Sequence, residues 1–297
     1  MGSLESPKGR TEPNDMGLKT TALRIYFFAL GLGFRALKRG LFAEGFRLLI
    51  TPVGYWRFIP NALTYAESRR LVDPRILDVS SPKLLSVFLA GTTSKEVIAT
   101  DLSDEKIFSR WKPVAEASGL ENYLVEYQDA RHLTYSDDSF DLVYSISVIE
   151  HIPDHGDTAA LEEFRRVLKP GGTLVVQVPY RRQAQEIHLD RDSRGNRLSE
   201  PCFYERYYDS AQVKQRLQID GLRLTRRVIT GEWINIDPLM NAASRLPRIA
   251  RLFLLPLEPI LAFVNFWARD DDTAGHPLGT LLVYQKVPLT HARANPT

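Results

Sequence analysis

The sequence predicts an α/β fold built on a mostly parallel sheet with helices packed on it. Three observations predict it. Short apolar runs alternate with helical stretches from Arg75 onward: RILDV (75–79), EVIATD (96–101), YLVEYQD (123–129) and FDLVYSISV (140–148). An acid stands at or near the end of each of the first three, namely Asp78, Asp101 and Asp129. A helix over DTAALEEFRRVLKPGG (157–172) then leads into a fifth strand, TLVVQVPY (173–180).

Each element has a local reason. Leu84 to Ala90 is long enough for a helix after the first strand. In 157–172, Asp157 can cap the start, and Ala160, Leu161, Phe164, Val167 and Leu168 share one face. Pro170, Gly171 and Gly172 stop it. Residues 181–208 read as irregular and charged. SAQVKQRLQIDG (210–221) reads as a helix ending at glycine, with late strands at LRLTRRVIT (222–230) and TLLVYQKV (280–287). The expected division is a flexible tail over 1–20, a helical cap or lid over 21–70, a core over 71–232, an insertion over 233–277, and a last strand and tail over 278–297. A connection as long as that insertion is usually functional or independently structured.

Composition excludes several classes. The 297 residues are 44% hydrophobic and 25% charged, enough to bury a sizeable core. Thirty-eight Lys and Arg against 36 Asp and Glu give a net charge of +2, no electrostatic reason for nucleic acid as the main partner. The lone Cys202 excludes an internal disulfide framework and a zinc site built on several thiolates. A cytoplasmic location is the expectation. No run reaches the roughly 18 uncharged apolar residues of a spanning helix. The nearest, 252–267, contains Pro256, Glu258 and Pro259.

Residues 21–50 repeat apolar side chains at helical spacing and carry Arg24, Arg35, Lys38, Arg39 and Arg47 against Glu44 alone. Two readings fit: a cap packed on the core, or a basic amphipathic helix at an anionic membrane surface. Tyr55, Trp56, Arg57 and Phe58 are bunched just before the first strand, as a lid over a pocket or as an aromatic anchor. FYERYY (203–208) is open to the same two readings. A carboxylate closing the second strand can take two ribose hydroxyls, which favours a nucleoside-containing ligand. The EIHLDRDSRG cluster (186–195) matches no standard metal spacing and reads as a solvated loop. No metal site is expected.

The stretches ILDVSSPKLLSVFLA (76–90), VIATDLS (97–103), YQDARHLTYSDDSFDLVYSISVIEHIPD (127–154) and EEFRRVLKPGGTLVVQVP (162–179) resemble the class I S-adenosylmethionine-dependent methyltransferases. The resemblance covers roughly 71–180. It implies a Rossmann-like, seven-stranded, mostly parallel sheet and S-adenosyl-L-methionine as cofactor. It implies that Asp101, with Leu102 beside it, binds the ribose, that Asp129 and Ala130 contact the adenine, and that Ser145, Ile146 and the residues up to Val148 line the methionine side. Asp78 stands at the first-motif acid. The family reads Asp-x-Gly-x-Gly-x-Gly there; this chain reads Asp78-Val79-Ser80-Ser81-Pro82-Lys83-Leu84, with no glycine. A loop without glycine has a different shape. Lys83 could pair with the cofactor carboxylate or stay solvated.

In-line methyl transfer needs a base only for a protonated acceptor such as a hydroxyl. Glu150 and His151 follow the fourth strand, where the family places acceptor-side residues, and are the catalytic candidates; packing is the competing role for His151. Tyr55, Arg57, Tyr180 and His188 are the substrate-binding candidates. The expected activity is O-methylation of a small-molecule or lipid-like acceptor, with peripheral membrane contact or a homodimer as further possibilities. The alternatives are a methyltransferase fold used as a binding or scaffold protein, and a nicotinamide-dependent oxidoreductase; the missing Gly-x-Gly-x-x-Gly disfavours the last.

Overall fold

The computed structural model describes residues 15–92, 94–102, 107–191, 197–244 and 257–288. Helix α1 (Asp15–Lys38) turns back at Gly40 into α2 (Phe42–Ile50). Gly40 has φ +80°, which a side chain tolerates poorly, so the turn falls there. The two helices pack tightly: a Cβ on Gly45 would lie 2.6 Å from the Leu37 side chain. Because α1 starts at Asp15, residues 15–20 belong to the helix rather than to the tail expected over 1–20; residues 1–14 lie outside the described residues. A short 3-10 turn (Tyr55–Arg57) and α3 (Phe58–Ser68) follow.

The alternating part comprises β1 (Arg75–Val79), α4 (Leu84–Ala90), β2 (Glu96–Asp101), α5 (Lys112–Glu116), β3 (Tyr123–Tyr127), β4 (Phe140–Ile146), α6 (Gly156–Val167) and β5 (Leu168–Pro179). The chain then forms a hairpin, β6 (Gln185–Arg191) and β7 (Arg197–Tyr207), followed by α7 (Ser210–Arg216) and β8 (Leu222–Glu232). The insertion supplies α8 (Asp237–Ser244), α9 (Glu258–Asn265) and β9 (Phe266–Arg269) before β10 (His276–Lys286). The main sheet runs β3-β2-β1-β4-β5-β10-β8-β9. Strands β1 to β5 are parallel, and β10 is antiparallel to both β5 and β8.

The order is the Rossmann-like one expected, and among the described residues the main sheet has eight strands rather than seven. The extra strand comes from the insertion, where Phe266 to Arg269 pair with Glu232 to Ile229 at the sheet edge. The segment expected to be irregular over 181–208 is largely that antiparallel hairpin. Its exposed faces gave no apolar alternation to read. The apolar 251–267 segment divides: 251–256 lie outside the described residues, and the rest forms α9 and β9. Among the described residues, no helix is long and apolar enough to cross a membrane.

Side-chain alternation builds two cores. Ile76, Val97, Leu142 and Val175 face α1, α3 and α4, while Leu77, Ile98, Val143 and Leu174 face α6. Asp157 does not cap α6. It lies in the first turn, fully buried, and its carboxylate takes Arg206 Nη1 (3.1 Å), Arg216 Nε (2.8 Å) and the Tyr208 hydroxyl (2.7 Å). Burial pushes this carboxyl up, but the Arg216 and Tyr208 hydrogen bonds outweigh it and hold the group ionised. This clamp fixes the hairpin and α7 against α6, which places β7 over the end of the sheet.

Candidate active site

Two adjoining cavities open beyond the carboxyl ends of the parallel strands. The first, about 510 Å³, lies between the loops after β1, β2 and β4 and the lid segment 47–61. Ser80, Ser81, Pro82, Lys83, Asp101 and Ser147 form its sheet side. Arg47, Gly54, Arg57, Asn61 and Trp111 close over it. The second, about 430 Å³, continues past Arg57 and Ser147 to Glu150, His151, Gln177, Arg181, Tyr204 and Asp237. Arg57 Nη1 donates to Ser147 Oγ at 2.5 Å, and Ser147 Oγ donates to Gln177 Oε1 at 2.8 Å, so this chain of bonds marks the boundary. Arg57 is pushed down by burial and held up by the nearby Glu150 charge.

The glycine-free first loop keeps part of a glycine loop's shape. Ser80 occupies the position of the family's first glycine and has φ +55°, a conformation glycine adopts freely and serine does not. Asp78 is fully buried beneath it. Its Oδ1 accepts Ser81 N (2.9 Å) and its Oδ2 accepts Lys83 Nζ (3.4 Å), which also donates to Thr100 O (2.7 Å). Burial drives the Asp78 carboxyl up and the Lys83 ammonium down, each opposed by the other's charge. The pair has no net charge with the proton on either partner. Lys83 therefore spends two of its three ammonium donors on Asp78 and Thr100, and it is buried rather than solvated although it borders the first cavity.

The other predicted residues divide. Ser80 and Asp101 line the first cavity; Glu150 and His151 line the second; Arg57 lines both. Ser145 is buried behind the loop with Oγ on Val79 O (3.3 Å), and Ile146 packs in the core. Asp129 lies beyond the described lining. Arg131 grips both its oxygens at 3.0 and 2.7 Å, and these bonds hold the carboxyl below the usual range. Ala130 is buried core and Leu102 is half exposed. Three substrate candidates move elsewhere. Tyr55 is a buried anchor whose hydroxyl donates to Glu232 at 2.5 Å. The Tyr180 hydroxyl donates to Asp272 at 2.8 Å. His188 meets the cross-strand Phe203 edge to face on the hairpin. Arg47, Asn61, Gln177 and Arg181 were not singled out as site residues. Nothing local marks them, because they reach the cavities only through the packing of α2, α3 and β5.

In the second cavity the electrostatics are unusual. Glu150 is 1% exposed, its Oε2 has no hydrogen-bond partner, and burial raises its pKa to about 8. His151 Nδ1 lies 2.8 Å from Tyr204 O. A carbonyl only accepts, so Nδ1 carries the hydrogen and Nε2 the lone pair. Nε2 is 4.0 Å from Glu150 Oε1. A neutral imidazole with its lone pair directed beside a protonated carboxyl can accept a proton from a bound group.

Residues 77–176 match the model of a methyltransferase domain. Residues 77–176 thus form a methyltransferase domain. Methyltransferase GfsG of Streptomyces halstedii is 41% identical over 137 residues, 41% of this chain and 48% of that one. The 27-O-demethylrifamycin SV methyltransferase of Amycolatopsis mediterranei is 35% identical over 86 residues, 28% and 31% of the two chains. An uncharacterised protein of Mycobacterium tuberculosis is 38% identical over 104 residues, 34% and 36%. The matched stretch thus spans less than half the length of these relatives. Two solved structures share the fold: the (4+2)-cyclase SpnF (TM-score 0.53, 19% identity, 78% of this chain and 83% of that one) and a putative methyltransferase of Bacillus halodurans (0.51, 16%, 77% and 99%). The domain's cofactor is S-adenosylmethionine. The site's donor set fits it, with a carboxylate at the end of β2, a positive-φ loop after β1, and a cavity between them that a lid covers.

Proposed function

We propose that the protein methylates a hydroxyl of a small, lipid-like acceptor, with the cofactor in the first cavity and the acceptor in the second. The observation that carries this is the adjoining pair of cavities, one bearing Asp101 and the other the Glu150–His151 pair. Asp101 would hold the ribose hydroxyls, since an ionised carboxylate accepts from a diol. When bound, S-adenosylmethionine supplies an activated methyl on a positively charged sulfur. Gly54, Arg57 and Ser147 border both cavities, so this is where acceptor and methyl would meet, under a lid that excludes water. The acceptor hydroxyl would donate to His151 Nε2, and that nitrogen would take its proton as the oxygen is methylated and S-adenosylhomocysteine leaves. The new positive charge 4.0 Å from Glu150 Oε1 would favour loss of the Glu150 proton to water in the cavity, and the carboxylate left would stabilise the imidazolium. The partly exposed His151 ring then returns the proton to water. Both O-methyltransferase roles, for His151 and for Glu150, are readings of this geometry.

The lipid-like acceptor and peripheral membrane contact draw support from the outer face of α1 and α2. Met16, Phe27 and Phe34 are separated by eleven and seven residues, so they form one stripe on α1; Phe42 and Phe46 extend it on α2. All five are more than half exposed. Arg24, Lys38 and Arg39 flank them, which suits an anionic lipid surface.

Calorimetric titration with S-adenosylhomocysteine tests the cofactor half. Micromolar binding that Asp101→Ala abolishes is expected, and no binding by the folded wild-type protein would make the scaffold reading the better one. Co-sedimentation with phosphatidylglycerol vesicles tests the lipid half. Binding that Phe27→Ser with Phe34→Ser removes is expected; a concentration-dependent dimer with no vesicle binding would assign the face to a second copy.

A further inference from the structure

The first cavity contains two polar side chains with buried atoms that have no hydrogen-bond partner among the described residues. Nε and Nη2 of Arg47 are buried without a hydrogen-bond partner. These two nitrogens share one edge of the guanidinium, the edge that takes a carboxylate through two parallel bonds. The ring of Trp111, 4.8 Å away, holds the plane of the guanidinium. The cavity is also lined by Asn61, which is 2% exposed and whose Oδ1 has no partner. Buried donors and acceptors left unpaired are costly, so a protein that keeps them has a ligand for them or carries the penalty.

The two groups are complementary in kind. One is a cationic double donor and the other is a neutral acceptor, and both line the cavity that Asp101 lines from the sheet. A ligand carrying a ribose at one end and a zwitterionic amino acid at the other matches all three. The first loop has few donors left for that amino-acid end. Asp78 and Lys83 are closed on each other beneath Ser80, with Ser81 N on Asp78. Pro82 has no N–H to offer.

We propose that Arg47 and Asn61 form the subsite for the α-amino-acid end of S-adenosylmethionine, Arg47 taking the carboxylate and Asn61 Oδ1 the ammonium. Both residues precede the matched domain, on α2 and α3. The lid thus supplies the contacts that the glycine-free loop has given up, and cofactor capture and lid closure become one event. This rests on the cofactor reading above.

The test compares three ligands by calorimetry: S-adenosylmethionine, its decarboxylated form, which keeps the amine, and 5′-methylthioadenosine, which has neither group. Arg47→Ala is expected to weaken S-adenosylmethionine at least tenfold and leave the other two unchanged, with partial rescue in Arg47→Lys. Asn61→Leu is expected to weaken both amine-bearing ligands several-fold and spare 5′-methylthioadenosine. Retained 5′-methylthioadenosine binding shows that each variant is folded. Equal loss across all three ligands, or no loss for any, overturns the subsite while the cofactor reading stands. Failure of the wild-type protein to bind any of the three overturns both together.

Discussion

Asp78 and Glu150 are two equally buried carboxyls with opposite surroundings. Asp78 ends in a closed set of partners: Lys83, the Ser81 amide and, through Lys83, the Thr100 carbonyl. Glu150 lies beside the second cavity with one oxygen unpartnered, and burial, outweighing the nearby Arg57 charge, lifts it to about 8. Burial therefore does not decide the role of an acid; its partners do. A carboxyl neutralised within its own loop shapes a binding surface. One left unpaired beside a cavity is held ready to change charge, at a cost in stability.

The largest expected effect is on the closed pair. Lys83→Met leaves Asp78 buried without its counter-charge and should destabilise the protein by about 3–5 kcal/mol. The thermal midpoint should fall by roughly 10 °C, and adding Asp78→Asn should recover most of it. If the single variant melts with the wild type, the pair does not hold the loop.

Next is the open acid. Folded Glu150 keeps its proton up to about pH 8, against an ordinary value of 4.5. The folded state binds more protons in that window, so stability falls as pH rises from about 4.5 to about 8 and is level above it. Glu150→Gln removes this contribution. Relative to wild type it should gain about 3–4 kcal/mol at pH 9 over its value at pH 5. Urea unfolding at the two pH values measures this, and parallel behaviour of the two proteins would refute it.

The chemistry comes third. His151→Phe should lower kcat about 100-fold with S-adenosylhomocysteine affinity unchanged. A loss of affinity with kcat intact would give His151 a packing role. Smallest is the backbone of the closed loop. Ser80→Gly relieves a left-handed serine and should raise stability by about 1 kcal/mol, read as a small upward shift in melting.

The parallel strands and their order were legible because fully buried strands are short apolar runs. Their register puts alternate residues such as Ile76 and Leu77 into different cores. Asp101 was legible because it closes such a run. The hairpin was not, because Gln185 to Tyr207 is charged on both faces and is held by the Asp157 clamp rather than by periodicity. The eighth strand was hidden for a related reason: four residues inside an insertion become a strand only by pairing with β8.

By itself, then, the sequence determined the domain type, the acid that closes β2 and the acid–histidine pair after β4, since each is fixed by its position relative to a strand. Tertiary structure alone decided what those groups could do. It turned Lys83 inward to Asp78, gave Asp129 to Arg131, moved Tyr55, Tyr180 and His188 away from the cavities, and brought Arg47 and Asn61 in over the first cavity. The physical reason is that charge state and hydrogen-bond satisfaction depend on neighbours far along the chain, and only packing chooses those neighbours.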